Sequence, residues 1–533
     1  MLNSLIRLIM LGKEAIVRFF RERKSGPIFY LPGIHTLPLN EAFKKGNINA
    51  VMGRHESNCA FMADGYARAT GDPGTVIVTP GPGLGNVVSP CMEAFGDDIP
   101  LVILHVDTDR NKTGRGTLHE VKEPETIFTH LTKRTLVVGG RAELVPLLDE
   151  AYAVAAAHRP GPVLLSIPYT LFEKEVPYER VAKKTEETVV DLSPLEEVLK
   201  GKERPVIIGG RHLIHADIRD LLTDLCSTSS IPLLSSTGGK GAVREDQAFC
   251  FGSIMKKGVN RAILSSADIV IALGTRLRDT DSARRGVKLK TLVHVDIDDQ
   301  WIGKNYPTPL GLAADMKKTV QYLAELFRGK KTAWDMESLH AARKTEEADL
   351  ESGSAGFRII SMLRTVIPED TITAWDLNGP GYWAEYYFPV LEQRTFLRPG
   401  GISTIFYAVP AAIGAKAGRP DRPCLSVIGD GGALPGLAEL ATVKAHNIPV
   451  VFLVCNNGSF GILEDYMRKR YAIKDSMSLV NPDYVRLASA FDIKGVRVDS
   501  LEALREVFLR RITWDEPFLI DFVCPSINPP WEL

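Results

Sequence analysis

The stretch CLSVIGDGGALPGLAELATVKAHNIPVVFLVCNNG (residues 424–458) decides the fold. It opens on an apolar run, CLSVI, and closes on a second, IPVVFLVC, with the helix-like LPGLAELATVKAHN between them. Runs that are apolar on both faces are what strands buried inside a parallel sheet require. Asp430 and Asn457 lie 27 residues apart, about one strand–helix–strand unit. Both therefore fall at the carboxyl ends of parallel strands, the edge where open α/β sheets bind their ligands.

The same alternation runs outward through the chain. TVIVT (75–79), LVILHV (101–106), PVLLSI (162–167), PVIIGG (205–210), DIVIALG (268–274) and TLVHVDID (291–298) read as further buried strands. Stretches such as AELVPLLDEAYAVAAAH (142–158) read as the helices between them. The expected class is α/β, with three doubly wound parallel-sheet domains. Two polar stretches, 173–194 and 330–356, read as linkers and divide the chain into 1–175, 190–335 and 355–533.

Composition narrows the ligand. Sixty-four basic residues nearly balance 65 acidic ones, and no long basic run occurs. That disfavours nucleic acid and anionic membranes and points to small molecules and other copies of the chain. The seven cysteines are scattered and form no C-x-x-C pair, which fits a reducing, cytoplasmic setting rather than a disulfide framework. Residues 1–12, MLNSLIRLIMLG, carry Arg7 and precede a charged stretch. They read as the start of a helix and not as a targeting signal. No run of 18 uncharged apolar residues suggests a membrane span.

Asp430 and Asn457 suit a hard divalent cation. Mg2+ takes oxygen ligands in an octahedron, commonly one or two from protein carboxylates or amides and the rest from phosphate or water. A carboxylate oxygen, an amide oxygen and a nearby backbone carbonyl meet the protein's share. The glycines beside Asp430 let backbone approach a diphosphate closely. Either GDG or NNG alone is no more than a turn; paired at this spacing between two apolar strands, they form a site.

With these residues in hand, the chain resembles the thiamine-diphosphate (ThDP) dependent family of acetolactate synthase, benzoylformate decarboxylase and benzaldehyde lyase. The likeness rests on 429–461 and on RHESNCAFMADGYARATG (54–71), TPGPGLGN (79–86), HVDIDDQWIGKNYP (294–307) and GGISTIFYAVPAAIGAKAG (400–418), all in the family's order. It implies a pyrimidine-binding, a central Rossmann-like and a diphosphate-binding domain. It implies that Glu56 meets N1′ of the aminopyrimidine and that Asp430, Asn457 and the carbonyl of Ser459 hold Mg2+. Ile405 would wedge beneath the bent cofactor, the carbonyl of Ser403 would face its 4′-amino group, and Gly431 and Gly432 would lie by the diphosphate. The resemblance also implies a homodimer or homotetramer in which Glu56 and the metal site of one active centre come from different subunits. A flavin in the central domain is known among relatives but not expected here, since Arg276-Leu277-Arg278-Asp279 matches the flavin-contacting pattern only in part.

The expected reaction makes or breaks a carbon–carbon bond of a 2-oxo acid or a 2-hydroxy ketone through a carbanion–enamine stage. A transfer like that of acetolactate synthase and a simple 2-oxo acid decarboxylation are the nearest alternatives. His35 falls where benzaldehyde lyase has a histidine and acetolactate synthases a small residue, and His119 where both carry a glutamine; both are candidates for proton transfer or for holding a carbonyl. A core or turn histidine is the plain alternative for each. Ile34, Thr79, Leu118, Ile462, Leu463 and Tyr466 are candidate pocket residues. Two rivals come from other classes. An NAD or FAD oxidoreductase would need a full G-x-G-x-x-G, which GPGLG lacks. Retention of Glu56, Asp430 and Asn457 argues against a non-catalytic ThDP-binding scaffold or regulator.

Overall fold

The computed structural model describes residues 8–181 and 190–532. Three six-stranded sheets, parallel throughout, follow one another along the chain. The N-terminal sheet runs, in spatial order, Ala50–Met52, Ile28–Tyr30, Gly74–Val78, Leu101–Asp107, Pro162–Pro168 and Arg134–Val137. The C-terminal sheet runs Phe396–Leu397, Ile372–Trp375, Cys424–Gly429, Val451–Asn456, Phe518–Val523 and Lys494–Val498. Numbered within their own domains, both have the strand order 2-1-3-4-6-5. One topology therefore occurs twice although the sequence shows no repeat. The central sheet has the order 3-2-1-4-5-6 of dinucleotide-binding folds, with Pro205–Gly209 and Ile269–Leu273 flanking its switch point.

One of the hydrophobic cores lies where the two outer domains meet. The helix Glu56–Thr70 packs against the helix Ala408–Gly418, and glycines let the backbones touch. A Cβ on Gly65 would lie 2.1 Å from the carbonyl oxygen of Ala411, and one on Gly414 would lie 1.8 Å from that of Met62. Phe61 meets the rings of Phe406 and Tyr407 edge-on, at 5.6 and 5.5 Å between centroids. The helix 56–70 reads as amphipathic in the sequence, yet all but its last residue are buried. Its charges survive burial because they are paired: Arg68 bonds Asp64 at 2.6 Å and Asp97 at 2.9 Å, and the hydroxyl of Tyr407 donates to Asp64 at 2.7 Å.

Three local expectations change. Leu8–Leu11 is not helical but a short strand, antiparallel to Glu175–Tyr178; the helix starts at Gly12. That pairing places part of the polar stretch 173–194 in a strand, while 182–189 lie outside the described residues. The polar stretch 330–356 contains an 18-residue helix, Met336–Gly353, none of whose residues is fully buried. Its charged residues favour helix intrinsically, and few contacts oppose that preference. Among the described residues no helix is long and apolar enough to cross a membrane.

Candidate active site

Asp430 opens the helix Asp430–Leu437 directly after the strand Cys424–Gly429, and Asn457 follows the adjacent strand Val451–Asn456. The two stand side by side at the carboxyl edge of the C-terminal sheet, as their spacing predicts. Oδ2 of Asp430 accepts the amide N–H of Gly458 at 2.9 Å and the side-chain amide of Asn481 at 2.7 Å. Oδ1 points to the other side. There the side-chain amide of Asn457 lies 3.2 Å from Oδ1 of Asp430 and 2.9 Å from the carbonyl oxygen of Ser459, and with its nitrogen on that side it donates to both. The opposite side of the amide meets Oγ of Ser526 at 3.0 Å.

With its oxygen on that side instead, the amide would complete a group of three oxygens that could hold a cation. Oxygen ligands about 2.1 Å from an octahedral Mg2+ stand about 3 Å from each other along an edge, and the spacing here is of that size. A half-turn of the amide exchanges the two arrangements, so the site can exist with or without the ion. The donor set fits a hard cation, since it holds no sulfur or imidazole. Burial pushes the Asp430 carboxyl up, against the N–H donors of Asn481 and Gly458, and a cation would favour its ionised form.

A cavity of about 240 Å3 leads away from these oxygens. Its walls are formed by residues between 376 and 527, including Asp376, Tyr382, Ile405, Gly431, Gly432, Ile462 and Leu463. Ser403 and Phe406, on either side of Ile405, hold left-handed backbone with φ of 62° and 59°. Ile405 itself is 44 % exposed. Tyr466 stands outside the wall and is also exposed. Asn481, Asp376 and Ser526 were not recognised in the sequence. Each reaches the site by folding from a distant segment, and none carries a local pattern.

Glu56 starts its helix just after the strand Ala50–Met52 and is buried. The side chain of Asn86 donates to its Oε2 at 2.9 Å. Asn86 closes the TPGPGLGN block, but its spacing gave no sign of this bond. Thr79 is close by: a Cβ on Gly83 would lie 2.4 Å from Oγ1 of Thr79 and 3.5 Å from Oε1 of Glu56. His35 and His119 come together, ring centroids 5.7 Å apart, and Tyr169 meets His35 edge-on at 5.2 Å. Nδ1 of each histidine is buried without a hydrogen-bond partner among the described residues. His119 holds a left-handed φ of 64°. Burial, and then the neighbouring His119, push the His35 pKa down, with Asp107 acting in the opposite direction. Ile34 and Leu118 project outward beside the pair, 68 % and 57 % exposed.

These residues fall into two groups. Glu56, Thr79, His35 and His119 gather on the N-terminal domain, and among the described residues none of that domain lines the cavity of the C-terminal one. At the central switch point, Arg276 bonds the carbonyl of Gly96 and lies 3.3 Å from Asp98, and the crevice beside it measures about 30 Å3.

Two outer domains of equal topology, one presenting a buried carboxylate and the other an oxygen-lined cavity at its sheet edge, define a class: α/β enzymes with paired cofactor-binding domains. The chain matches three family descriptions in succession. These are the N-terminal TPP binding domain of thiamine pyrophosphate enzymes over residues 10–126, their central domain over 192–323 and their C-terminal TPP binding domain over 379–522. A probable 2-ketoarginine decarboxylase of Pseudomonas aeruginosa is 31% identical over 493 residues, covering 90% of this chain and 88% of that protein. A probable acetolactate synthase large subunit of Methanocaldococcus jannaschii is 28% identical over 544 residues, covering 96% and 92%. The acetolactate synthase large subunit of Lactococcus lactis is 28% identical over 532 residues, with the same coverage. The chain belongs to the thiamine-diphosphate-dependent enzymes of the acetolactate synthase family and catalyses decarboxylation or carboligation.

Proposed function

We propose that the enzyme needs ThDP and Mg2+ and breaks or forms the carbon–carbon bond beside the carbonyl of a 2-oxo acid or a 2-hydroxy ketone. The observation that carries this reading is the meeting of Asp430, Asn457 and the Ser459 carbonyl at 2.9–3.2 Å, which suits Mg2+ and the diphosphate it would anchor. Bound ThDP supplies a nucleophilic carbon and an electron sink; the protein supplies position and charge. Gly431 and Gly432 line the cavity and would lie by the diphosphate. Ile405 lines the cavity and would pack against the cofactor's rings. Glu56, buried and bonded by Asn86, would share a proton with the pyrimidine ring. His35 and His119 would hold the substrate carbonyl or pass it a proton, with Ile34, Leu118, Ile462, Leu463 and Tyr466 shaping its surroundings.

The working unit in this reading is at least a homodimer, in which Glu56 of one protomer faces the metal site of its partner. Ile34, Leu118, Ile402, Ile405, Phe460, Leu463 and Tyr466 are large apolar residues exposed around the two groups of site residues, as residues awaiting cover would be. All seven cysteines are buried and unpaired, which supports a reducing, cytoplasmic location.

The test is reconstitution with ThDP and Mg2+, followed by assay of pyruvate, longer 2-oxo acids, 5-guanidino-2-oxopentanoate and acyloins for CO2, aldehyde and coupled product. Turnover of a member of this panel that disappears on omission of ThDP is the expected result. Absence of any ThDP-dependent product across the panel would reject the reading.

A further inference from the structure

We infer that Glu93 and Glu439 are reciprocal positioning residues. Each reaches across the boundary between the outer domains of one chain to hold the segment that carries the other domain's cofactor-facing side chain. The inference rests on the roles proposed above for Glu56 and Ile405.

Glu93 belongs to the helix Val88–Gly96 of the N-terminal domain and is fully buried. Its carboxylate serves only the C-terminal domain in the bonds it accepts from residues 401–404. Gly401 N–H donates to Oε1 at 2.6 Å. Ile402 and Thr404 N–H each donate to Oε2 at 3.2 Å, and the Thr404 hydroxyl adds a bond of 2.9 Å. One turn along the helix, Asp97 accepts the N–H of Gly400 at 3.0 Å. The fit is close: a Cβ on Gly96 would lie 2.6 Å from Cα of Gly401. The held segment runs directly into Ile405, between two non-glycine residues of left-handed backbone. Such residues cost about 1 kcal/mol each or more and persist only where the surroundings over-determine them. A buried carboxylate accepting four hydrogen bonds provides that constraint.

Glu439 is the counterpart, on the C-terminal domain and also fully buried. It accepts the N–H of Arg54 at 3.0 Å and the side-chain amide of Asn58 at 3.0 Å, two residues before and two after Glu56. The hydroxyl of Thr442 on its own domain bonds it as well. The two glutamates occupy matching places in the duplicated topology. Each lies in the crossover after the third strand of its sheet, and each grips the turn between the second strand and the following helix of the other sheet. In the dimer proposed above, Glu56 and Ile405 of one chain serve different active centres. The pair would therefore set both centres from within a single chain.

Glu93→Gln and Glu439→Gln test this by amide hydrogen exchange on the protein without cofactor, with turnover of the loaded enzyme as second readout. A glutamine offers one acceptor oxygen in place of two and adds an NH2 that opposes the donors. Glu93→Gln is expected to speed exchange of segment 400–406 while 53–58 stays protected, and Glu439→Gln to do the reverse. With substrate, kcat should fall 10- to 100-fold at nearly unchanged KM, as for a misplacement of catalytic groups. Thr404→Val, which removes one of four donors, should show the Glu93 effect in smaller measure even if Glu93→Gln folds poorly. Unchanged exchange of the facing segment in these variants, or faster exchange with wild-type kcat, overturns the inference. Failure to bind ThDP in the unmodified protein would reject the cofactor reading alone, because exchange is measured without cofactor.

Discussion

Asn481 donates its side-chain amide to Oδ2 of Asp430 at 2.7 Å, on the side of the carboxylate turned away from Asn457. The bond engages one oxygen and leaves the other facing the amide of Asn457 and the Ser459 carbonyl. Groups that orient a metal ligand in this way commonly contribute 10- to 100-fold to metal affinity. Asn481→Ala should raise the Mg2+ concentration needed for half-maximal ThDP binding by about 10-fold, read by quenching of protein fluorescence. Asp430→Ala should abolish Mg2+-dependent binding. Unaltered Mg2+ titrations in both variants would remove these residues from the metal site.

Glu56 and Asp430 are expected to act across subunits, and mixing separates this from action within one chain. Glu56→Gln and Asp430→Ala should each be inactive alone. Co-expressed, half of the randomly paired dimers would be mixed, and each mixed dimer would carry one intact centre. About one quarter of wild-type activity should therefore return. No recovery, in a preparation shown by mass spectrometry to contain mixed dimers, would place both groups in one chain's centre.

His35 and His119 stand close enough to act together on one carbonyl. His35→Ala and His119→Ala should each lower kcat by about 100- to 10,000-fold, the range of acid–base contributions, with ThDP affinity nearly unchanged. Near-normal turnover in both variants would assign the pair to packing.

His212 bridges the N-terminal and central domains, with Nδ1 3.2 Å from Oδ1 of Asp296 and Nε2 3.5 Å from Oδ2 of Asp98. Burial pushes its pKa down, but the two carboxylates outweigh burial and raise it to about 9. A histidine raised above its unfolded value of about 6.5 contributes its full stability below that pH and loses it as pH rises through 9. The unfolding temperature should decline between pH 7 and 10, and His212→Gln should flatten the decline. An equal decline in the variant would assign the pH dependence to other groups.

Gly414 allows the close approach of the two central helices. A Cβ there would lie 1.8 Å from a backbone oxygen that cannot turn aside. Gly414→Ala should cost about 3 kcal/mol or more, seen as a lower unfolding temperature. An exposed glycine such as Gly353, with open space around it, should accept alanine without such a loss. Equal stability of Gly414→Ala and the unmodified protein would refute this account of the packing.

Much of the architecture was legible before folding. Strands 101–106, 162–167 and 424–429 announce themselves because a strand covered on both faces needs apolar residues at every position. The helix 56–70 was harder to read. Its Glu, Asp and Arg suggest one wet face, whereas Tyr407 and Asp97 supply partners from elsewhere in the chain. The segment 8–11 became a strand only because Glu175–Tyr178 lies beside it.

The sequence by itself determined the parallel α/β layers and the pairing of Asp430 with Asn457, because one strand–helix–strand unit brings chain positions 27 apart to the same sheet edge. Folding alone decided that Asn481 supports Asp430, that Asn86 meets Glu56, and that Glu93 and Glu439 grip each other's domains. Those contacts join positions from 30 to about 385 residues apart. Side-chain periodicity states which face of an element will be buried; what it is buried against depends on how the domains dock.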